Sequence, residues 1–211
     1  MDYTKEENSH YARIFLKEGD LKNSLGHYAM LYEKEPDNAE AAFFFAYHAF
    51  QMFVEEKNYA PVVNTVNSMT ENVANAIVHI EGMYCDEDEK IFVISKIVEF
   101  YTPIVRFLFA NYIPTSSDTT VGCILGLYSL GDAISDKFGS DPTAMTLAAT
   151  AWKEAVSLQN AYWMNNYKGV RSEDYVEKIK KIEPTYVAPK PAMPLLKKIV
   201  DKIKELIKKN N

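Results

Sequence analysis

The chain has 211 residues, a formal net charge of −6, 47% hydrophobic and 25% charged residues, and two cysteines. That composition belongs to a folded globular protein and excludes collagen-like, disordered and disulfide-framework chains. A chain of this length is expected to bury a real core as one domain or two small ones.

The opening residues, Met1 to Glu7, are acidic and polar, without the basic start and apolar run of an export signal. A bilayer span needs about 20 apolar residues. The stretch 41–54 is too short, and 91–110 is cut by Lys96, Glu99 and Arg106. A cytoplasmic protein with no membrane-spanning helix is expected, with Cys85 and Cys123 as free thiols.

Helix start and stop signals recur along the chain, and the period-2 alternation of strands is absent, so the expected fold class is all-α. Thr4 with Glu7 makes a capping box for a first helix ending at Gly19. Asp20 opens a second, which stops at Glu35-Pro36. Asp37 with Glu40 repeats the box for a third, to about Glu56, and Asn58 opens a fourth with Pro61 in its first turn, to about Gly82. A fifth starts in the acidic run 86–89 and reaches about Tyr112, with a kink expected at Pro103. Ser117 or Asp118 opens a sixth, to Gly139. Asp141-Pro142 is a cap followed by proline at the first helical position, opening a seventh through Trp152 and Trp163 to Gly169. Ser172 opens a short eighth, to about Ile182.

The composition then changes. Four of the nine prolines (Pro184, Pro189, Pro191, Pro194) fall in the last 28 residues, so 183–194 reads as an extended linker. Residues 195–209 read as a detached ninth helix. At about 100° per residue, Leu195, Leu196, Ile199, Val200, Ile203, Leu206 and Ile207 share an arc of about 140°, and all eight charges lie opposite. Seven aliphatic side chains, each worth about 1.5 to 3 kcal/mol when buried, need a surface to cover them. Three surfaces compete: the body of the chain, a partner's groove or a second copy, and an anionic membrane. Residues 185–211 hold seven lysines against Asp201 and Glu205, a charge of +5, which leaves −11 on the first 184 residues. So acidic a body argues against nucleic-acid binding, which needs a basic face for the phosphates.

Within the first half, residues 18–25 match residues 56–63 at an offset of 38, both placing a cap-forming residue before an apolar one at a turn between helices. Tyr11, Ala12, Phe15, Gly19-Asp20, Leu21, Tyr28 and Leu31, counted back from Pro36, stand where a tetratricopeptide (TPR) repeat has its packing residues. Residues 5–38 thus resemble one such repeat and 39–76 a second, longer by a turn in its first helix. The resemblance implies helical hairpins stacked into a curved array that binds peptides or proteins on its concave side. That wall would present Glu6, Ser9, Arg13 and Leu16, then Glu40, Phe43, Tyr47 and Phe50. The third helix is apolar nearly all round, which predicts core packing for most of its aromatics; Phe43, Tyr47 and Phe50 are the candidates for a partner-binding groove.

Few residues stand in patterns that carry chemistry. A di-iron bundle needs two Glu-x-x-His motifs, and only Glu7 with His10 supplies one. No zinc-protease, paired-cysteine, dinucleotide, phosphate-loop or nucleophile-elbow pattern occurs. The acidic run 86–89 lacks the alternate spacing and glycine of a calcium loop and reads as a helix cap. Gly122 and Gly126 predict a close helix approach. No catalytic, metal or cofactor-binding residue is assigned. The expectation is a non-catalytic protein-interaction or scaffold protein, with a peripheral membrane protein anchored by the basic amphipathic helix as the alternative.

Overall fold

The computed structural model describes residues 3–58, 60–83, 85–112, 117–161 and 170–190. Every regular element among them is a helix: α1 (Lys5–Glu18), α2 (Leu21–Lys34), α3 (Ala39–Glu55), α4 (Val62–Glu81), α5 (Glu87–Tyr112), α6 (Ser117–Phe138), α7 (Pro142–Ala161) and α8 (Ser172–Ile182). The protein is all-α. The expected ninth helix, 195–209, lies outside the described residues, as do 162–169 of the expected seventh helix and 191–194 of the linker.

Local chemistry sets most helix starts. At α1, the Thr4 hydroxyl accepts from the Glu7 N–H at 3.1 Å, and the Glu7 carboxylate accepts from the Thr4 N–H at 2.7 Å, so two otherwise unpaired donors are satisfied reciprocally. Asp20, Asp86 and Asp141 cap α2, α5 and α7 by accepting from Asn23, Glu89 and Ala144. Three starts differ from the sequence reading. Asn38, not Asp37, caps α3 by accepting from the Ala41 N–H, and Glu40 points inward instead of closing a box. α4 begins at Val62 rather than at Asn58, because the Asn58 N–H bonds back to the Phe53 carbonyl at 2.8 Å and closes α3. Ser172 is the first residue of α8 rather than its cap, and its hydroxyl donates to Asn160 Oδ1 at 3.1 Å.

The hairpins α1–α2 and α3–α4 pack side by side through α2 and α3. Ser24 is buried between the first pair and donates to the Ala12 carbonyl at 2.7 Å. Beyond α4 the order changes. α4 packs heavily on α6, α6 on α7, and α7 on both α5 and α8, so α5 lies against α4 and α7 rather than extending a simple stack. α5 continues through Pro103. The α4–α5–α6 junction is close because Gly126 has no side chain: a Cβ there would sit 2.5 Å from the Tyr101 hydroxyl. Gly122 faces open space. Buried apolar residues from Ala12 to Ile179 form one cluster, in which Trp152, Tyr28, Tyr101, Tyr128, Phe43 and Phe44 are the largest members.

Residues 183–190 begin with a turn at 184–185, closed by the Tyr186 N–H on the Glu183 carbonyl at 3.0 Å, rather than extended chain throughout, and they are held to the body. Tyr186 and Ala188 pack on the core, the Asn160 amide donates to the Pro189 carbonyl at 2.9 Å, and Glu183 pairs with Lys153 at 2.7 Å. Asp132 fastens α8, accepting from Trp152 Nε1 (3.1 Å), the Tyr175 hydroxyl (2.8 Å) and Lys178 (2.7 Å).

Candidate functional site

α3 and α5 run along an apolar groove of about 580 Å³. Tyr47, Phe50 and Val54 line it from α3, and Phe100, Pro103, Ile104 and Phe107 from α5. The walls are aromatic pairs. Tyr47 and Phe100 stack with centroids 4.3 Å apart and planes 4° from parallel, and Phe50 meets Phe107 edge to face at 5.7 Å, geometries the ring quadrupoles favour. Glu55 and Glu99 border the groove. Burial and the nearby Glu99 carboxylate hold the Tyr47 hydroxyl above its ordinary pKa, and Gln51 donates to that hydroxyl at 3.0 Å.

The structure brings two of the three groove candidates from α3 together. Tyr47 and Phe50 line the groove, whereas Phe43 is fully buried, set edge to face against Phe44 and Tyr101. One turn earlier on the helix than Tyr47, it falls beneath α5 and packs in the core. The seven tail candidates, Leu195, Leu196, Ile199, Val200, Ile203, Leu206 and Ile207, lie outside the described residues. The α5 wall was missed at the sequence level although its signal was present: Phe100, Pro103, Ile104 and Phe107 have the i, i+3, i+4, i+7 spacing of one helix face.

The expected wall on α1 has a different fate. Arg13 donates from Nε to Glu40 Oε1 at 3.0 Å and from its second nitrogen to Oε2 at 2.5 Å, and the Tyr28 hydroxyl donates to the same carboxylate at 2.7 Å. All three side chains are buried. Burial works against the charged guanidinium, but the Glu40 carboxylate outweighs it and holds Arg13 above its ordinary pKa. Arg13 also reaches Met83 and, at 3.7 Å, Glu89. The network ties α1, α2, α3 and α5 together and commits Glu40 to Arg13, while Glu6, Ser9 and Arg13 of the expected α1 wall line a separate concavity, away from the α3–α5 groove. Leu16 is buried as well.

A second concavity of about 590 Å³ lies beside that network, lined by Lys5, Glu6, Ser9, His10, His79 and Cys85 among others. Among the described residues, no three His, Cys, Asp or Glu side chains are placed to hold a metal ion. His27 belongs elsewhere: Asn8 donates its amide to the Tyr3 and Thr4 carbonyls, which leaves Asn8 Oδ1 to accept from His27 Nδ1–H at 3.0 Å. Both cysteines are free, and burial pushes the Cys123 thiol up to about 11. Among the described residues no helix is long and apolar enough to cross a membrane.

No family model matches the chain, and neither do curated proteins or solved structures.

Proposed function

We propose that the protein is a non-catalytic interaction protein whose α3–α5 groove receives an apolar face of a basic helix. The observation that carries this reading is the groove itself: an aromatic trough with an acidic border, open on one side. Helix-in-groove recognition uses such a trough to take anchors at i, i+3, i+4 and i+7 from an amphipathic helix. Large aromatic side chains are the groups that most often supply binding energy at interfaces. Glu55 adds charge complementarity, which favours a lysine-bearing partner and speeds encounter, whereas Glu99 already pairs with Lys96 at 2.7 Å. The TPR resemblance supports the same reading, since it would put the binding wall on the first helix of each hairpin, and α3 is the first helix of the second.

The test is fluorescence anisotropy of a labelled Leu/Lys amphipathic peptide titrated with the full chain carrying Ile199→Asp and Ile203→Asp, which removes competition from the chain's own apolar stripe. Saturable binding is expected, weakened about tenfold or more when Val54→Asp puts a charge into the groove, a change of about 1.4 kcal/mol. Absence of binding, or binding indifferent to Val54→Asp, contradicts the reading.

A further inference from the structure

We propose that the resting occupant of the α3–α5 groove is residues 195–209 of the same chain, which makes the tail a latch that outside partners must displace. This inference rests on the groove being a docking surface. Two observations and one general argument converge on this occupant.

The first is chemical fit. Residues 195–209 offer seven aliphatic side chains on one arc and six lysines on the other, against an apolar trough bordered by Glu55 and by Glu99, whose ion pair with Lys96 at 2.7 Å a tail lysine would share or replace. A helix laid in the trough by its aliphatic stripe keeps its lysines at the acidic border, where long stems can reach a carboxylate while their charges stay wet.

The second is the tether. The chain is held to the body as far as Pro189, through the bond from Asn160 on α7 to the Pro189 carbonyl. α7 is the helix that Arg106 of α5 grips, with bonds of 2.6 and 2.5 Å to Glu154. Arg106 directly precedes Phe107 of the groove. The segment therefore leaves the body from a helix packed on α5, and residues 191–194 extend up to about 14 Å. A helix of 15 residues is about 22 Å long, and Phe100 to Phe107 spans about 10 Å of α5, so the stripe is long enough to cover the groove.

The third is concentration. A short tether gives an effective concentration on the order of millimolar. A segment with an affinity in trans of only about 10 µM then occupies the groove about 99% of the time and lowers the apparent affinity for a competing helix about 100-fold.

The experiment uses the full chain. Carbodiimide coupling at low protein concentration, followed by mass spectrometry of the monomer, is expected to join Glu55 or Glu99 to a lysine of 197–209. The Ile199→Asp, Ile203→Asp chain should lose that product and bind the labelled Leu/Lys peptide about 100-fold more tightly than the unaltered chain. Products found only between two copies assign the groove to a second molecule and overturn the latch. So does a tail that yields no groove product but carries the full chain to phosphatidylserine vesicles in flotation. Equal, saturable peptide binding by both chains leaves the groove standing and removes the latch; no binding by either removes the groove reading itself.

Discussion

Gly19 and Lys57, 38 residues apart, hold the same left-handed position in the turns that close α1 and α3, at φ 79° and φ 55°. Their hydrogen bonds correspond one for one. Gly19 N–H bonds to Leu16 O at 3.3 Å and Asp20 N–H to Phe15 O at 2.9 Å, while Lys57 N–H bonds to Val54 O at 3.2 Å and Asn58 N–H to Phe53 O at 2.8 Å. The match at this offset in the sequence is thus also a match of backbone. Glycine takes this conformation without cost, whereas a side chain at Cβ is strained there by about 1 kcal/mol or somewhat more. Lys57→Gly should therefore stabilise the protein by about 0.5 to 1 kcal/mol, and Gly19→Ala should destabilise it by about 1, both read from urea denaturation midpoints at unchanged slope.

The Arg13–Glu40 pair is buried on both sides, so removing one partner leaves a charge without compensation. Arg13→Met is expected to cost about 3 to 5 kcal/mol, whereas Arg13→Met combined with Glu40→Leu should recover much of that loss. A double-mutant cycle by chemical denaturation measures the coupling. A loss under about 1 kcal/mol for the single variant contradicts the burial of the pair.

His27 sits among the rings of Tyr3, Tyr11 and Phe15, with centroids 5.1 to 5.6 Å away. Burial holds its pKa below the ordinary 6.5. Below pH 6.5 the unfolded chain binds a proton that the folded one refuses, so this contribution to stability is whole above 6.5 and is lost as pH falls through the folded value. The slope from one such group is at most about 1.4 kcal/mol per pH unit. Melting temperatures of the unaltered chain should fall more steeply between about pH 7 and pH 5 than those of His27→Gln. Parallel curves contradict this assignment.

Two glycines of α6 should respond in opposite directions. A Cβ at Gly131 would lie 2.4 Å from Trp152 Nε1 and 2.5 Å from its Cδ1, and the indole is packed in the core and bonded to Asp132. Gly131→Ala should cost about 1 to 3 kcal/mol by overpacking. Gly122 has nothing within 4 Å, and Gly122→Ala should gain up to about 1 kcal/mol from helix propensity alone. Thermal melts of the two variants should move to opposite sides of the parent.

Much of this architecture was legible because helix ends are local events. The Thr4–Glu7 box and the Asp141-Pro142 start depend on residues three apart, and both appear as expected. Three starts shifted because the capping group was engaged elsewhere: Glu40 turns from a box residue into the partner of Arg13 and Ser172 bonds to Asn160, while the Asn58 N–H closes the end of α3. Phe43 illustrates a deeper limit. On a helix apolar nearly all round, no periodicity separates the side chain that meets the core from the one that meets a groove. That distinction needs the position of α5, and the long-range packing of α4 on α6 leaves no trace in local patterning. The α5 face itself was legible, because Phe100, Pro103, Ile104 and Phe107 share a helical register; reading Pro103 only as a kink concealed it.

The most direct measurement of the central claim is hydrogen–deuterium exchange on the full chain carrying Ile199→Asp and Ile203→Asp, with and without a saturating Leu/Lys amphipathic peptide. Exchange reports local opening segment by segment. Added protection is expected to concentrate in residues 47–55 of α3 and 99–107 of α5. Protection spread over other helices, or none at all, would contradict it.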